Sequence, residues 1–307
     1  MKREVIPFTT EEAWLAERAK DITSTEVAAL FGCNPWMTEF ELWHRKKGNV
    51  PTDFEANEAM EIGAEFEEPI AKSIAKKNGW EIKPKKAYTR LVGRRIGSSF
   101  DFEISSPFQS IFEIKNVGEA SWFKYWKEEG ENIEAPVNLE FQFQHELLVS
   151  GADCLMVGAM VGGNKRKTLK RVPDKGIHEA ILSKCEAFWK SIDENIEPKP
   201  NFEKDAAFIA QLFNKANKGK EAFADEEITA LITGPNGYKE WKHDRDIAQK
   251  RMDEIKAKIL MGIGTASKVT GDDFSISVGE TKGSTYTVTR KPGRMFRINF
   301  KGEEDGE

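Results

Sequence analysis

Two neighbouring segments, Gly97–Ile104 and Ile111–Lys115, constrain this chain more than any other feature of its sequence. Apolar and polar residues alternate in both segments, as they do in strands with one buried face. Glu113 and Lys115 are two residues apart and therefore leave the same face of their strand, while their neighbours point into a core. If the two strands form a hairpin, Asp101 converges on the same place. The sequence thus predicts a cluster of two carboxylates and one lysine.

This cluster has two interpretations. Carboxylates are ligands for Mg²⁺ or Mn²⁺, and a lysine beside them can position or deprotonate a water that attacks a phosphodiester. A surface hairpin with an ordinary cross-strand salt bridge shows the same pattern, and the three residues alone favour that simpler interpretation. The neighbouring segments therefore decide between the two.

A third carboxylate lies on a predicted helix, residues 57–77, that precedes these strands. The apolar stripe of this helix has helical spacing and consists of Gly63, Phe66, Ile70 and Ile74. Glu67 falls inside the stripe, where a carboxylate is costly to bury unless a charged group pairs with it. A metal site and a structural salt bridge explain Glu67 equally well.

Composition excludes several classes of protein. The longest nearly apolar run, Ala152–Val161, is about half as long as a membrane span requires. The N-terminus lacks the apolar core of a signal peptide. Three separated cysteines without a CxxC pair argue against a disulfide framework and a zinc site, and favour a reducing cytoplasm. The net charge of −5 does not suggest a nucleic-acid binder, although a metal-dependent nuclease also concentrates acids at its centre.

The pattern along the chain predicts two domains. Capping-box patterns that begin at Thr9, Thr23 and Thr38 predict three early helices. A meander of strands is predicted at residues 80–83, 87–92, 95–104 and 111–117. Pro198 and Pro200 place the boundary between a domain of residues 1–200 and a C-terminal region of residues 201–307. That region is predicted to contain a long charged helix at 238–261, a small β-meander at 269–300 and a disordered acidic tail.

Several motifs in order give a closer identification. A helix, a helix with an acid, a strand with Asp, a strand with Glu-x-Lys and a helix with Gln together resemble the PD-(D/E)xK nuclease superfamily. In detail they resemble its YqaJ-type viral recombinases, a family that includes the lambda-phage-type exonucleases. The resemblance covers residues 18–189 and rests on Ile22–Val27, Asn34–Trp36, Glu41–Trp43, Gly63–Pro69, Ser99–Asp101, Phe112–Lys115, Gln142–His145 and Ala159–Gly163. The chain departs from the family pattern at Phe102, Asn116-Val117 and Leu139, and none of these departures removes a metal ligand.

The resemblance implies a fold and a catalytic centre. The fold is of the α/β (α+β) class, with a restriction-endonuclease-like core in which helices flank a central mixed sheet. The implied ligands of a two-metal site for Mg²⁺, with Mn²⁺ as a substitute, are Glu67, Asp101, Glu113 and the backbone carbonyl of Ile114. Lys115 would orient or activate the attacking water, and Gln142 would help to hold it.

The resemblance also implies a substrate and partners. Arg18 and Thr25 correspond to residues that contact a terminal 5′ phosphate, whereas without the resemblance Arg18 would be taken for a helix-surface residue. The implied activity is 5′→3′ exonuclease digestion of double-stranded DNA, which leaves 3′ overhangs for a single-strand annealing protein of a phage or prophage. A closed ring of three chains is expected by the same analogy.

Two alternatives to this function stay open. One is a related nuclease of another specificity, either an endonuclease or a single-strand exonuclease. The other is a non-catalytic DNA-binding module on a decayed nuclease fold. Four tryptophans could be core residues or base-stacking surfaces, with core packing favoured for each: Trp36, Trp43, Trp122 and Trp126. The C-terminal region is expected to contact DNA or a partner, or else to stabilise the nuclease domain as a flap.

Overall fold

The computed structural model describes residues 1–50, 58–130, 132–215, 221–279, 294–298 and 300. The chain forms two compact units, Met1–Phe213 and Asn214–Glu307. The helices of the first unit are α1 (Glu11–Arg18), a 3₁₀ helix (Val27–Phe31), α2 (Glu39–Lys47), α3 (Glu58–Asn78), α4 (Glu119–Tyr125), α5 (Val137–Ser150), α6 (Lys175–Asp193) and α7 (Phe202–Leu212). Its strands are β1 (Arg3–Pro7), β2 (Glu81–Pro84), β3 (Ala87–Leu91), β4 (Ile96–Ser99), β5 (Phe102–Ser106), β6 (Ser110–Val117), β7 (Lys127–Glu129), β8 (Asn132–Glu134), β9 (Leu155–Val161) and β10 (Lys165–Arg171).

A five-stranded mixed sheet with the order β10-β9-β6-β5-β2 forms the centre of the first unit. Strand β6 pairs antiparallel with β5 and parallel with β9. A parallel connection needs a crossover, and here helices α4 and α5 lie on it. The predicted α/β class, with a central mixed sheet flanked by helices, is confirmed.

The two faces of this sheet belong to different hydrophobic clusters. Phe112 of β6 packs in a cluster with Ile74 of helix α3. On the opposite face, Val157 of β9 packs in a cluster with Phe143 of helix α5. Since side chains alternate along a strand, Glu113 shares the face of its strand that α5 covers.

Helix α3 approaches the sheet so closely that its neighbour strand needs a glycine. A Cβ atom on Gly158 of β9 would lie 2.8 Å from Ile74 Cδ1 and 2.8 Å from Phe112 Cε2. Both distances are well inside van der Waals contact. Any larger residue would therefore push α3 outward or distort the core beneath it.

The predicted meander of strands is wrong in one respect, because it divides between two sheets. Residues 95–104 form two strands, and β4 joins β3 and β1 in a separate three-stranded sheet. Phe100 and Asp101 break the run: the side chain of Phe100 is buried in the main core, and the carbonyl of Asp101 accepts the N–H of Lys85 at 3.1 Å. Strand β1 was not predicted; it pairs with β3.

The early capping patterns differ in outcome. Thr38 caps α2 by accepting the N–H of Glu41, as predicted. Helix α1 is capped by Thr10, one residue beyond the predicted Thr9. Thr23 precedes a 3₁₀ helix, and the Glu26 carboxylate accepts the Thr23 N–H at 2.9 Å.

Helix α7 belongs to the first unit, so the division after Phe213 lies beyond the boundary predicted after Pro200. Phe208 of α7 is buried and packs edge-on against Phe40 of α2, with ring centroids 6.0 Å apart. Thr38 Oγ1 donates to the buried carboxylate of Asp205 at 2.5 Å. The two prolines turn the chain, but the apolar face of α7 still needs α2 to cover it.

The second unit contains helices α8 (Glu226–Thr233) and α9 (Tyr238–Ile263) and the short antiparallel strands β11 (Lys268–Thr270) and β12 (Ser275–Ser277). Helix α9 confirms the predicted long charged helix. Strands β11 and β12 confirm the first part of the β-meander predicted at 269–300, but residues 294–298 and 300 form no strand. Residues 280–293 and 299 and the acidic tail lie outside the described residues. Across the described part of both units, no helix combines the length and the apolar character that crossing a membrane requires.

Candidate active site

The hairpin of β5 and β6 brings Asp101 and Glu113 together. Its register pairs Phe102 with Phe112, so Asp101, which precedes Phe102, lies beside Glu113, which follows Phe112. Asp101 occupies a bend just before β5, and its Oδ2 accepts the backbone N–H of Ile114 at 2.8 Å. This bond fixes one carboxylate oxygen, while Oδ1 accepts no hydrogen bond from the part of the chain that the structure describes.

Lys115 leaves β6 on the same side as Glu113. Its Nζ donates to Glu113 Oε1 at 2.6 Å. Burial alone lowers the pKa of Lys115, but the negative charges of Glu113 and Asp101 outweigh burial and hold the pKa above its ordinary value. In this arrangement the lysine is a cation and a hydrogen-bond donor.

Helix α5 supplies an amide that contacts the same carboxylate. Gln142 Nε2 donates to Glu113 Oε1 at 2.7 Å and to Glu146 Oε1 at 2.9 Å. Glu113 Oε1 thus accepts hydrogen bonds from both Lys115 and Gln142, and among the described residues Oε2 is left for a further partner.

Glu146 is a site residue that the sequence analysis missed. It is 1% exposed, and burial together with the charge of Glu113 raises its pKa well above the ordinary range. The sequence held a signal for it. Glu146 lies four residues after Gln142 on one helix face, within a run in which every residue from 142 to 149 is buried.

Glu67 lies on the first half of α3, and the predicted stripe is wrong at its N-terminal end. Phe66 is 51% exposed, and the buried face begins only at Ile70. Glu67 is therefore half-buried at the edge of the core. Burial and the charge of Glu113 raise its pKa, while Lys115 acts in the opposite direction. These charges place Glu67 near the other carboxylates.

The cluster carries more negative than positive charge. Its four carboxylates are accompanied by a single lysine: Glu67, Asp101, Glu113, Glu146 and Lys115. Burial and mutual repulsion raise the pKa of Asp101 well above its ordinary value. A divalent cation would relieve this repulsion.

The donors fit a hard cation in their chemistry. Asp101 and Glu113 each keep one oxygen that accepts no hydrogen bond from the described residues, and carboxylate oxygens are the ligands that Mg²⁺ prefers. Within the described residues, no three His, Cys, Asp or Glu side chains stand ready to hold a metal ion together.

Arg18 and Thr25 form a second cluster near the start of the chain. Arg18 Nη2 donates to Thr25 Oγ1 at 3.1 Å, and its guanidinium carbon lies 4.5 Å from the centre of the Trp14 ring. Lys46 Nζ donates to the carbonyl of Arg18 at 3.2 Å and to that of Asp21 at 2.6 Å. The arginine is thus held at both its backbone and its side chain, and the Thr25 hydroxyl that it contacts also lies 3.3 Å from the hydroxyl of Thr23.

Three of the four tryptophans pack in the core, as expected: Trp43, Trp122 and Trp126. The expectation is wrong for Trp36, which is 73% exposed. Asn34 orders the backbone around it, because Asn34 Oδ1 accepts the N–H of Trp36 at 2.8 Å and Asn34 Nδ2 donates to the carbonyl of Thr25 at 3.1 Å. An exposed indole is therefore tethered to the segment that carries Thr25.

Comparison with known proteins agrees with these motifs. Residues 13–153 match the model of the YqaJ-like viral recombinase domain. A Bacillus subtilis (strain 168) protein described as uncharacterized protein YqaJ is 30% identical over 183 residues, which are 59% of this chain and 56% of that protein. The match thus spans about half the length of this curated relative.

Solved structures of lower similarity include two exonucleases. The alkaline exonuclease LHK-Exo from Laribacter hongkongensis is 17% identical with a TM-score of 0.47, over 65% of this chain and 100% of that one. A phage-related exonuclease from Haemophilus somnus 129PT is 15% identical with a TM-score of 0.41, over 57% and 95% of the two chains. The resemblance inferred from the motifs is confirmed by the family model, since residues 13–153 of this chain match the YqaJ-like viral recombinase domain.

Proposed function

We propose that this chain is a metal-dependent exonuclease that digests double-stranded DNA from a 5′ end and leaves 3′ overhangs. One observation carries the proposal: Asp101, Glu113, Lys115 and Gln142 converge at one place in the central sheet, with more carboxylates than cations. That place lies within the segment that matches a viral recombinase domain. The overhangs would serve a single-strand annealing protein during phage or prophage recombination in a bacterial cytoplasm.

The residues that would hold Mg²⁺, or Mn²⁺ in its place, are Asp101, Glu113, Glu67 and the carbonyl of Ile114. When bound, the metal would supply electrostatic stabilisation of the charge that develops on the attacking and leaving oxygens of the phosphodiester.

The chain's own groups supply the rest of the chemistry. Lys115, held by Glu113, presents an ammonium that can donate to the attacking water or to a phosphate oxygen. Gln142 is fixed through its amide nitrogen, and its carbonyl oxygen can accept a proton of the same water.

The second cluster supports the polarity of digestion. A guanidinium binds phosphate oxygens in a bidentate manner, and the Thr25 hydroxyl beside it can donate to the same group. An enzyme that binds a terminal 5′ phosphate begins digestion at the ends of DNA and proceeds inward from them. Exposed Trp36, tethered beside Thr25, suits stacking on a base at a frayed end.

The decisive experiment compares linear and circular duplex DNA, with 5′-phosphate, 5′-hydroxyl or blocked ends, in the presence and absence of Mg²⁺. We expect nucleotide release only from linear DNA with Mg²⁺, and none from folded Asp101→Ala or Lys115→Ala. Cleavage of circular DNA would favour an endonuclease. Binding without cleavage would favour a non-catalytic module, and near-normal activity of Asp101→Ala would refute the assigned site.

A further inference from the structure

Glu146 has no role in the metal site or the phosphate cluster, yet it is among the most deeply buried charged residues of the described chain, at 1% exposed. Its Oε1 accepts from Gln142 Nε2 at 2.9 Å; within the described residues no hydrogen bond of ordinary geometry reaches Oε2, although the Ser24 side chain lies close enough to lower the pKa of Glu146. A buried carboxylate is costly, and a core position on α5 would be filled more stably by an apolar residue of similar size.

The amide of Gln142 has two protons on nitrogen and one acceptor oxygen. One N–H of Gln142 Nε2 donates to Glu113 Oε1, with the nitrogen and oxygen 2.7 Å apart, and the other donates to Glu146 Oε1 at 2.9 Å. A flipped amide would turn its oxygen toward two carboxylate oxygens and lose both bonds. The two carboxylates together therefore determine which end of the amide faces them.

Without Glu146, one carboxylate alone would hold the amide. A single bond to Glu113 leaves the group free to rotate about that contact, and the direction of its oxygen is then no longer fixed. With both bonds in place, the carbonyl oxygen is the one atom of the amide that remains for a donor such as water. Holding a reacting group in one orientation is a large part of what an active site contributes to rate.

We infer that Glu146 is a positioning residue that acts through Gln142. It accepts a hydrogen bond from the second amide N–H of Gln142 and so directs the amide oxygen toward the attacking water. This role rests on the proposed nuclease function. It requires an acceptor at position 146 rather than a charge, so an amide oxygen there should serve as well as a carboxylate.

The test compares Glu146→Gln, which keeps an acceptor, with Glu146→Met, which has a similar size and no comparable acceptor. We expect Glu146→Met to lower kcat on linear duplex DNA ten- to a hundredfold, with KM changed by no more than about twofold. Glu146→Gln should keep kcat within about threefold of the wild type. A folded Glu146→Met with wild-type kcat, or a folded Glu146→Gln that loses kcat as Glu146→Met does, would overturn the inference.

Gln144→Met is the matched control on the same helix. Gln144 is buried and also makes two hydrogen bonds, to the carbonyl of Val172 and from the N–H of Asp174, but neither involves the carboxylate cluster. It should lower thermal stability and leave kcat unchanged. Equal losses of kcat in Gln144→Met and Glu146→Met would show that any buried polar deletion in α5 has the same effect, and would refute a positioning role.

A double-mutant comparison separates positioning from general stability. If Glu146 acts only through Gln142, Glu146→Met should cost no further kcat in a Gln142→Met background. An additive loss would mean that Glu146 acts by another route.

A measurement in the metal-free protein keeps this inference distinct from the proposed function. In protein labelled with ¹⁵N-glutamine, the two amide protons of Gln142 should be shifted and slow to exchange in the wild type and in Glu146→Gln, and one should lose both properties in Glu146→Met. The signals are assigned by their disappearance in Gln142→Met. If these signals behave as expected while no variant cleaves DNA, the nuclease proposal fails and the geometry stands; identical signals in wild type and Glu146→Met would refute the inference itself.

Discussion

In the carboxylate cluster, the hydrogen bonds engage one oxygen of a carboxylate and leave its second oxygen available for chemistry. Glu113 uses Oε1 for two donors of the chain, and Asp101 uses Oδ2 for the N–H of Ile114. The opposite oxygens accept no hydrogen bond from any residue within the described ranges, so each can bind a cation. In the same way, Arg18 uses one nitrogen on Thr25 and retains the rest of its planar fork for a phosphate.

We expect Arg18→Ala to matter most on DNA whose ends carry a 5′ phosphate. Loss of a charge-assisted hydrogen bond costs on the order of 1.5–3 kcal/mol, or about ten- to a hundredfold in kcat/KM. Digestion rates on 5′-phosphate and 5′-hydroxyl ends measure the effect, with exposed Lys20→Ala as the control. An equal loss on both kinds of end would remove Arg18 from phosphate recognition.

His145 should make the protein less stable in mild acid. It is completely buried, and burial lowers its pKa from 6.5 to about 4, although its bond to the Ile22 carbonyl acts in the opposite direction. The unfolded chain takes up a proton below about pH 6.5 and the folded chain only near pH 4. The contribution of His145 to the free energy of unfolding should therefore fall as pH drops through this window, by about 3 kcal/mol in total, and should level off below it.

Denaturant titrations of wild type and His145→Gln between pH 4 and 7 test this expectation. The difference in unfolding free energy between the two proteins isolates the histidine from the acids that titrate in the same range. His243→Gln, at an exposed position of α9, is the control. A difference that does not vary with pH would refute the assignment.

Local sequence pattern predicts some residues of the site and not others. Asp101, Glu113 and Lys115 are separated by a short hairpin, so alternation along two strands suffices to bring them together. The position of Gln142 in the site depends on a crossover connection, so only the family resemblance, and no local pattern, identified Gln142 as a site residue. Glu146 was missed because burial on a helix depends on what packs against it, which the helix sequence alone does not contain.

At the scale of elements, pairing between distant strands explains what was not predicted. Residues 95–104 alternate continuously, yet β4 and β5 join different sheets because each finds a different partner. Strand β1 is mostly exposed and therefore shows no apolar periodicity of its own. Helices α2, α3 and α9 agree with prediction because the signals that predicted them are local, such as the capping residue Thr38 at the start of α2.

Gly158→Val should loosen the contact between α3 and the central sheet. The added atoms would enter the space now occupied by Ile74 Cδ1 and the Phe112 ring, each 2.8 Å from the position of a Cβ. We expect a loss of about 1–3 kcal/mol in unfolding free energy, together with reduced kcat, because α3 carries Glu67.

Thermal unfolding and nuclease rates measure both effects. Gly118→Ala is the matched control, since a Cβ there meets nothing within 4 Å. If Gly158→Val were as stable and as active as Gly118→Ala, the close approach of α3 would not matter to the fold or to the position of Glu67.

At the scale of the whole molecule, the two units are proposed to have separate tasks. The motifs, the carboxylate cluster and the Arg18 cluster all lie in Met1–Phe213. The remainder is proposed to be accessory, in contact with DNA or a partner; the alternative, a stabilising flap for the nuclease domain, also stays open. Among the described residues of its C-terminal part, Arg294 and Arg297 keep the basic character that motivated the first alternative.

Truncation after Phe213 should leave a folded protein with metal-dependent cleavage and weaker DNA affinity, partner binding or processivity. Truncation after Pro200 should be much less stable, because it removes Phe208 from Phe40 and Asp205 from Thr38. Circular dichroism and digestion assays distinguish these outcomes. If the longer fragment also failed to fold, the C-terminal unit would act as the stabilising flap.

A closed ring of three chains is the assembly that we propose, by analogy with lambda-type relatives and because homo-oligomers favour closed symmetry. Such a ring would stay on its DNA between successive cuts. Light scattering at working concentration should give three times the mass of one chain. A monomer that still digests processively would contradict the ring.

The parallel pairing of β6 with β9 has a consequence for the order in which the chain folds. The hairpin that joins Asp101 to Glu113 closes over a few residues, whereas the pairing of β9 with β6 must close the crossover of residues 118–154, which contains α4 and α5. Contacts between residues distant in sequence form slowly, because the chain loses the entropy of loop closure before the new contacts stabilise it. A newly made chain would thus pass through a stage in which its acidic hairpin exists and its water-holding amide does not. If the proposed function is right, the chain would not cleave DNA until its sheet is complete.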